Sequence, residues 1–196
     1  MEIPIVKGET GQSCGVACLR SIFKFYGKEV SEEDISKFNQ IKNNTNWIYD
    51  LGFTALKFGF KAKIIDYNYF IYSDFKIGNL KEYLKNNNYQ RSAKDASESA
   101  IQFLDAGGKI DVKIFTVKDI KEALDKNIPV IIRVRPKIYM GKHSANSLHY
   151  VVIESYDGDW FEVMDPIGKK IKISSDVLLY SAYSNFAQLL LIEKEN

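Results

Sequence analysis

Apolar and polar positions alternate differently on the two sides of Pro129. Before it, apolar residues mostly recur at the spacing of helices; after it, they crowd into short β-branched and aromatic runs bounded by turn residues. Ser13 is suited to cap a helix from about Cys14 to Tyr26, with Ala17, Cys18, Ile22 and Phe25 on one apolar face and Gly27 ending it. Ser31-Glu32-Glu33-Asp34 has the spacing of a capping motif and opens a short helix to about Phe38. A third helix is expected from about Thr45 to Phe58, then a strand over Lys61–Asp66. Helices at Asn79–Lys85 and Ala93–Leu104 flank a polar Asn-Asn-Asn stretch. Gly107-Gly108 turns the chain into a possible strand at Ile110–Phe115, and Thr116 opens a helix that ends near Asn127.

Strands are expected at Val130–Val134, His149–Tyr156, Trp160–Met164, Lys170–Ile173 and Ala187–Ile192. Asp157-Gly158 lies between two of them and is a strong hairpin signal. Helices first and an antiparallel sheet afterwards point to an α+β fold. With 196 residues the chain fits one domain over 1–196.

Composition narrows the function. The 27 basic and 25 acidic residues leave a formal charge of +2, which gives no electrostatic reason to expect nucleic acid or an anionic membrane as partner. No basic start followed by an apolar stretch marks a signal peptide. The apolar runs are strand-sized, far short of the roughly 20 residues of a membrane helix. Two cysteines make no disulfide framework, so a reducing cytoplasm is the simplest setting.

Cys14 stands at the first turn of a predicted helix, where free N–H groups and the positive end of the dipole favour a thiolate. Position alone leaves open a buried thiol that only fills space. For Cys18, one turn deeper on the apolar side, packing is the better reading, and the pair lacks further Cys or His ligands for a metal. Of the two histidines, His149 opens a strand beside a polar loop, while His143 lies in a loop-like stretch suited to a rim residue. If Asp157-Gly158 makes a hairpin, Asp165 returns to the end of the sheet where His149 begins. It can then hold the imidazole's orientation. Asp157 and Asp159 fall at the opposite end.

These residues lie in two blocks that resemble a known family. Ser13-Cys14-Gly15-Val16-Ala17-Cys18-Leu19, closing on Phe25-Tyr26-Gly27, is similar to the nucleophile helix of papain-like cysteine peptidases of the bacteriocin-processing, or double-glycine, family. His149-Tyr150-Val151-Val152-Ile153, followed by Met164-Asp165-Pro166 and Gly168, is similar to its histidine strand and Asp-Pro turn. The resemblance implies a papain-like fold, N-terminal helices packed on an antiparallel sheet. It also implies a Cys14-His149-Asp165 triad acting on a peptide or protein substrate, with no cofactor or metal.

Two features depart from the pattern. The family's oxyanion-hole glutamine belongs six positions before the cysteine, where this chain has Gly8; Gln12 is the nearest amide and takes that role as an expectation. The 135 positions between Cys14 and His149 exceed the compact form, so about 67–115 reads as an insertion. No phosphate-binding Gly-rich loop accompanies the domain, so a stand-alone form is the closer comparison. An acyltransferase of the same fold, or a non-catalytic peptide-binding module, would fit the same residues.

Overall fold

The computed structural model describes residues 1–8, 14–38, 46–67, 80–86, 91–141 and 148–195. Its first part forms helices α1 (Cys14–Phe25), α2 (Glu32–Ser36) and α3 (Ile48–Lys57), then strand β1 (Phe60–Asp66). Next come α4 (Leu80–Asn86), α5 (Arg91–Asp105), β2 (Lys109–Val112) and α6 (Val117–Asp125). The remainder runs β3 (Val130–Val134), α7 (Pro136–Met140), β4 (His149–Asp157), β5 (Trp160–Asp165), β6 (Lys169–Ser174), α8 (Ser175–Tyr183) and β7 (Gln188–Lys194). The described strands make one seven-stranded sheet in the order β2-β1-β7-β3-β4-β5-β6. No described helix is long and apolar enough to cross a membrane.

The alternation along the central strands decides which helices cover which face. Ile131, Tyr150, Val152, Met164, Leu190 and Ile192 point toward α1, α3 and α5. Their neighbours Ile132, Val151, Ile153, Val163 and Leu189 point toward α6 and α8. A sheet buried on both faces needs apolar residues at successive positions, which is why β3 and β4 read as unbroken apolar runs. Burial of each large side chain contributes roughly 1.5–3 kcal/mol, so the 0% exposed Leu19, Ile22 and Phe23 make α1 a firmly seated helix. The expected helix face differs in one residue. Phe23, stacked on Phe60 at 4.7 Å, is buried where Phe25 was expected, and Phe25 is only half-buried.

The α+β class of the sequence reading is the observed one, with two additions. The short helix α7 and the helix α8 interrupt the run of strands, and β1 pairs β2 in parallel while the other pairings are antiparallel. The described parts of 67–115 are built into the same layers. Strand β2 extends the sheet beyond β1, and α5 carries Ala96, Ala100 and Phe103 into the core beneath α3.

Two buried polar features prepare the site. A β-bulge between Ile153 and Ser155 accompanies the inward turn of Glu154, whose carboxylate accepts the Ile3 amide at 2.8 Å and pairs with Lys170 at 3.0 Å. This ties residues 1–8 to the sheet ahead of α1. On the α1 face, Asp66 and Gln188 pair across β1 and β7, and Arg133 and Tyr150 pair across β3 and β4. Gln188 joins the two pairs, donating to Asp66 at 3.0 Å and accepting from Arg133 at 3.1 Å. The Tyr49 hydroxyl donates a short bond to Asp66. The guanidinium of Arg133 lies over Phe186, Trp47 and Tyr150 at 4.8–5.7 Å. Burial pushes Asp66 up to about 7, against the pull of its hydrogen bonds and of Arg133.

Candidate active site

Cys14 is the first residue of α1, so its thiol stands where the helix's unpaired N–H groups and positive dipole end concentrate. The glycine after it is a packing requirement. A Cβ at Gly15 would lie 2.9 Å from Leu51 Cδ1 and 3.2 Å from the Tyr150 ring. Without one, α1 seats against α3 and β4, bringing Cys14 to the start of β4.

His149 opens β4, opposite Val134 of β3. The hairpin closes at Asp157 and Trp160 with Gly158 at φ +56°, and β5 returns to the same end of the sheet, finishing at Asp165. His149 Nε2 and Asp165 Oδ1 lie 2.8 Å apart. The Ile167 amide donates to the same oxygen at 3.1 Å, and the Gly168 amide closes the turn onto Asp165 O at 3.0 Å. Gly168 is in the left-handed region at φ +104°, a conformation that favours glycine. Asp165 is fully buried. Its Oδ2 has no hydrogen-bond partner among the described residues.

The other side of the imidazole meets the thiol, and hydrogen bonding and charge between Cys14 and His149 shift both groups. Burial alone would raise the thiol. The His149 hydrogen bond and charge outweigh it, helped by backbone hydrogen bonds from Tyr150 and Gly15, and the Cys14 pKa is lowered. Burial likewise disfavours the imidazolium, but Asp165 and Cys14 on its two sides hold His149 up to about 9. Both shifts run in the direction that favours a thiolate beside an imidazolium over the neutral pair. Cys18 has the opposite setting. It is fully buried, donates to Tyr150 O at 3.4 Å, and burial with the nearby charges of Cys14 and Asp165 pushes it well up.

Three of the expected residues thus come together: Cys14, His149 and Asp165. Gln12 and His143 lie outside the described residues. Sequence reasoning missed one contributor. Tyr150 supports the thiol through its backbone and accepts from Cys18, roles played by main-chain atoms that no side-chain pattern reveals. No group of three or more His, Cys, Asp or Glu side chains suited to a metal lies among the described residues.

The fold has known counterparts. The chain is similar to the peptidase domain of Streptococcus ComA, a bi-functional ABC transporter involved in quorum sensing, at TM-score 0.57 and 14% identity over 99% of this chain and 100% of that one. It is similar to a double-glycine-motif protease from an AMS/PCAT transporter in complex with its leader peptide, at 0.56 and 16%, over 99% and 93% of the two chains. A C39-like peptidase from Bacillus anthracis matches at 0.54 and 14%, over 100% and 96%. At these identities the likeness concerns the fold, which is that of C39 papain-like peptidase domains. No curated protein matches the sequence. A family model does, over residues 1–189, and it spans both the cysteine helix and the histidine–aspartate hairpin; the chain belongs to the Peptidase_C39-like family.

Proposed function

We propose that this protein is a cysteine peptidase in which Cys14 is the nucleophile, His149 the general base and acid, and Asp165 the group that orients the imidazole. The observation that carries the reading is the imidazole of His149, 2.8 Å from a buried carboxylate and coupled on its other side to the Cys14 thiol. The lowered Cys14 pKa supports it, because the thiolate is the attacking species.

In this reading the Cys14 thiolate attacks the scissile carbonyl, and the imidazolium of His149 gives its proton to the departing amine. The neutral imidazole then takes a proton from water, whose oxygen attacks the thioester and releases the acid. The Asp165 carboxylate compensates the imidazolium charge in each half-reaction. The helix N-terminus and an amide such as that of Gln12 serve the oxyanion. The substrate is a peptide or protein segment, consistent with the leader peptide bound to the transporter-derived relative. A cytoplasmic setting suits the protein's free thiols.

The test is digestion of a diverse unlabelled peptide mixture, with new termini identified by mass spectrometry. New termini made by the wild type and not by Cys14→Ala support the reading. Identical product sets from both proteins sink it.

A further inference from the structure

Residues 1–8 form no helix or strand, yet they are held to α1, to β4 and to the turn after Asp165. The Ile3 amide donates to Glu154 Oε2 of β4 at 2.8 Å, and the Ile3 side chain is fully buried in the cluster that α1 shares. The Val6 amide donates to Ser21 Oγ of α1 at 3.1 Å. The Lys7 side chain lies against Gly168, whose amide closes the turn onto Asp165 O. An irregular segment loses much conformational freedom when it is fixed at so many points. This one is a strap laid across the elements that carry the triad.

Its anchor at Glu154 is a built one. The Glu154 side chain is buried, and a carboxylate is costly to bury without partners. Both of its oxygens are used: Oε2 by the Ile3 amide, and Oε1 by Lys170 Nζ at 3.0 Å, which reaches across β5 from β6. Glu154 is also the residue left between the pairs Ile153–Val163 and Ser155–Glu162, the extra residue of the bulge. Bulges re-aim a side chain, and here the re-aimed group is the carboxylate that receives the strap. At the other end, Ser21 is fully buried and stands seven positions after Cys14, two turns further along α1. The strap therefore connects the strand that His149 opens to the helix that Cys14 opens.

We infer that Glu154 is a positioning residue: through the strap it holds α1 against β4 and so keeps the Cys14 thiol at the His149 imidazole. This inference rests on the triad reading above. The bonds at Glu154 and Ser21 fix the helix at the strap, and the close approach of Gly15 to Tyr150 fixes it at the sheet. Productive geometry tolerates displacements of only about 0.5 Å. A helix released from the strap thus loses rate before it loses its fold.

Three variants test this against wild type. Glu154→Leu removes both bonds of the anchor, Ser21→Ala removes the acceptor on α1, and Glu154→Gln keeps an acceptor for the Ile3 amide. Each is studied well below its melting temperature, by iodoacetamide labelling at pH 6.5 and by kcat and KM on one cleaved peptide. Buried Cys18 reports in the same experiment whether the fold is intact. In Glu154→Leu and Ser21→Ala, Cys14 labelling and kcat should each fall about tenfold at unchanged KM, with Cys18 still unlabelled. Glu154→Gln should recover most of both rates. A lowered melting temperature with wild-type labelling and kcat makes the strap scaffold only and overturns the inference. Rates in Glu154→Gln no faster than in Glu154→Leu overturn it too, because the ion pair with Lys170 would then be in control. Should Glu154→Leu not fold, Ser21→Ala decides alone. Wild-type Cys14 that labels no faster than Cys18 overturns the triad reading and this inference together.

Discussion

His149 and Asp165 stand 16 positions apart in sequence and 2.8 Å apart in space, because a tight hairpin carries the chain from the start of β4 back to the end of β5. The carboxylate is fully buried, whereas the imidazole keeps a little solvent exposure. The imidazole thus lies between solvent and a fully buried carboxylate.

Asp165→Asn retains an acceptor for the imidazole but not the charge that supports its protonated form. The His149 midpoint should fall from about 9 toward the ordinary value, since Asp165 heads the influences that raise it. Peptide hydrolysis should drop by at least about a hundredfold, though less than in Cys14→Ala. An NMR titration and a steady-state assay on the same preparation check both statements.

The pH dependence of kcat/KM follows from the same two shifts. The thiolate–imidazolium pair exists above the lowered Cys14 value and below the raised His149 value of about 9. Activity should therefore persist below the usual thiol range and decline as pH passes about 9. The two limbs belong to the coupled pair, not to either residue alone. Initial rates from pH 5 to 10 on one peptide would show it.

Gly15→Ala should damage the site by displacing its helix. The new Cβ meets fully buried Leu51 and the Tyr150 ring, so α1 must move or strain, at about 1–3 kcal/mol. Thermal unfolding should report the lost stability, and Cys14 alkylation should slow with it.

Asp66 offers a stability prediction with a defined sign. Its pKa is raised in the folded protein to about 7, so the folded state holds a proton that the unfolded chain releases near the usual carboxylate value. The stability it contributes is fully present below that usual value and is lost as pH rises through about 7. Asp66→Asn, which mimics the protonated form, should gain thermal stability relative to wild type as pH goes from 5 to 8. Melting curves of the two proteins across that range, showing a constant or shrinking difference, would contradict the burial argument.

The parts of the fold legible in sequence were those with strong local signals. The run His149–Ile153, the Asp157-Gly158 turn and the Gly27 stop each declare an element through its own residues. The α+β class followed from their order. What the sequence withheld depends on distant partners. The start of α3 is set by Asp50 accepting the Trp47 amide at 3.2 Å, a cap formed around a tryptophan that propensity does not favour, so the expected start at Thr45 fell early. Helix α8 opens on Ser175 within a stretch whose apolar positions lack a clear stripe, and α7 is one short turn after Arg135. The partners of Cys14 were readable only because two sequence blocks resemble one family. The arrangement of Asp66, Gln188, Arg133 and Tyr150 across four strands depends on register, which no single strand contains.

The central claim, a thiolate at Cys14 made and held by His149, is tested most directly by brief alkylation with iodoacetamide at pH 6.5, read residue by residue in a mass spectrometer. The account predicts rapid labelling of Cys14, almost none of buried Cys18, and a marked slowing at Cys14 in His149→Ala. Labelling of Cys14 no faster than Cys18, or a rate indifferent to His149→Ala, would contradict it.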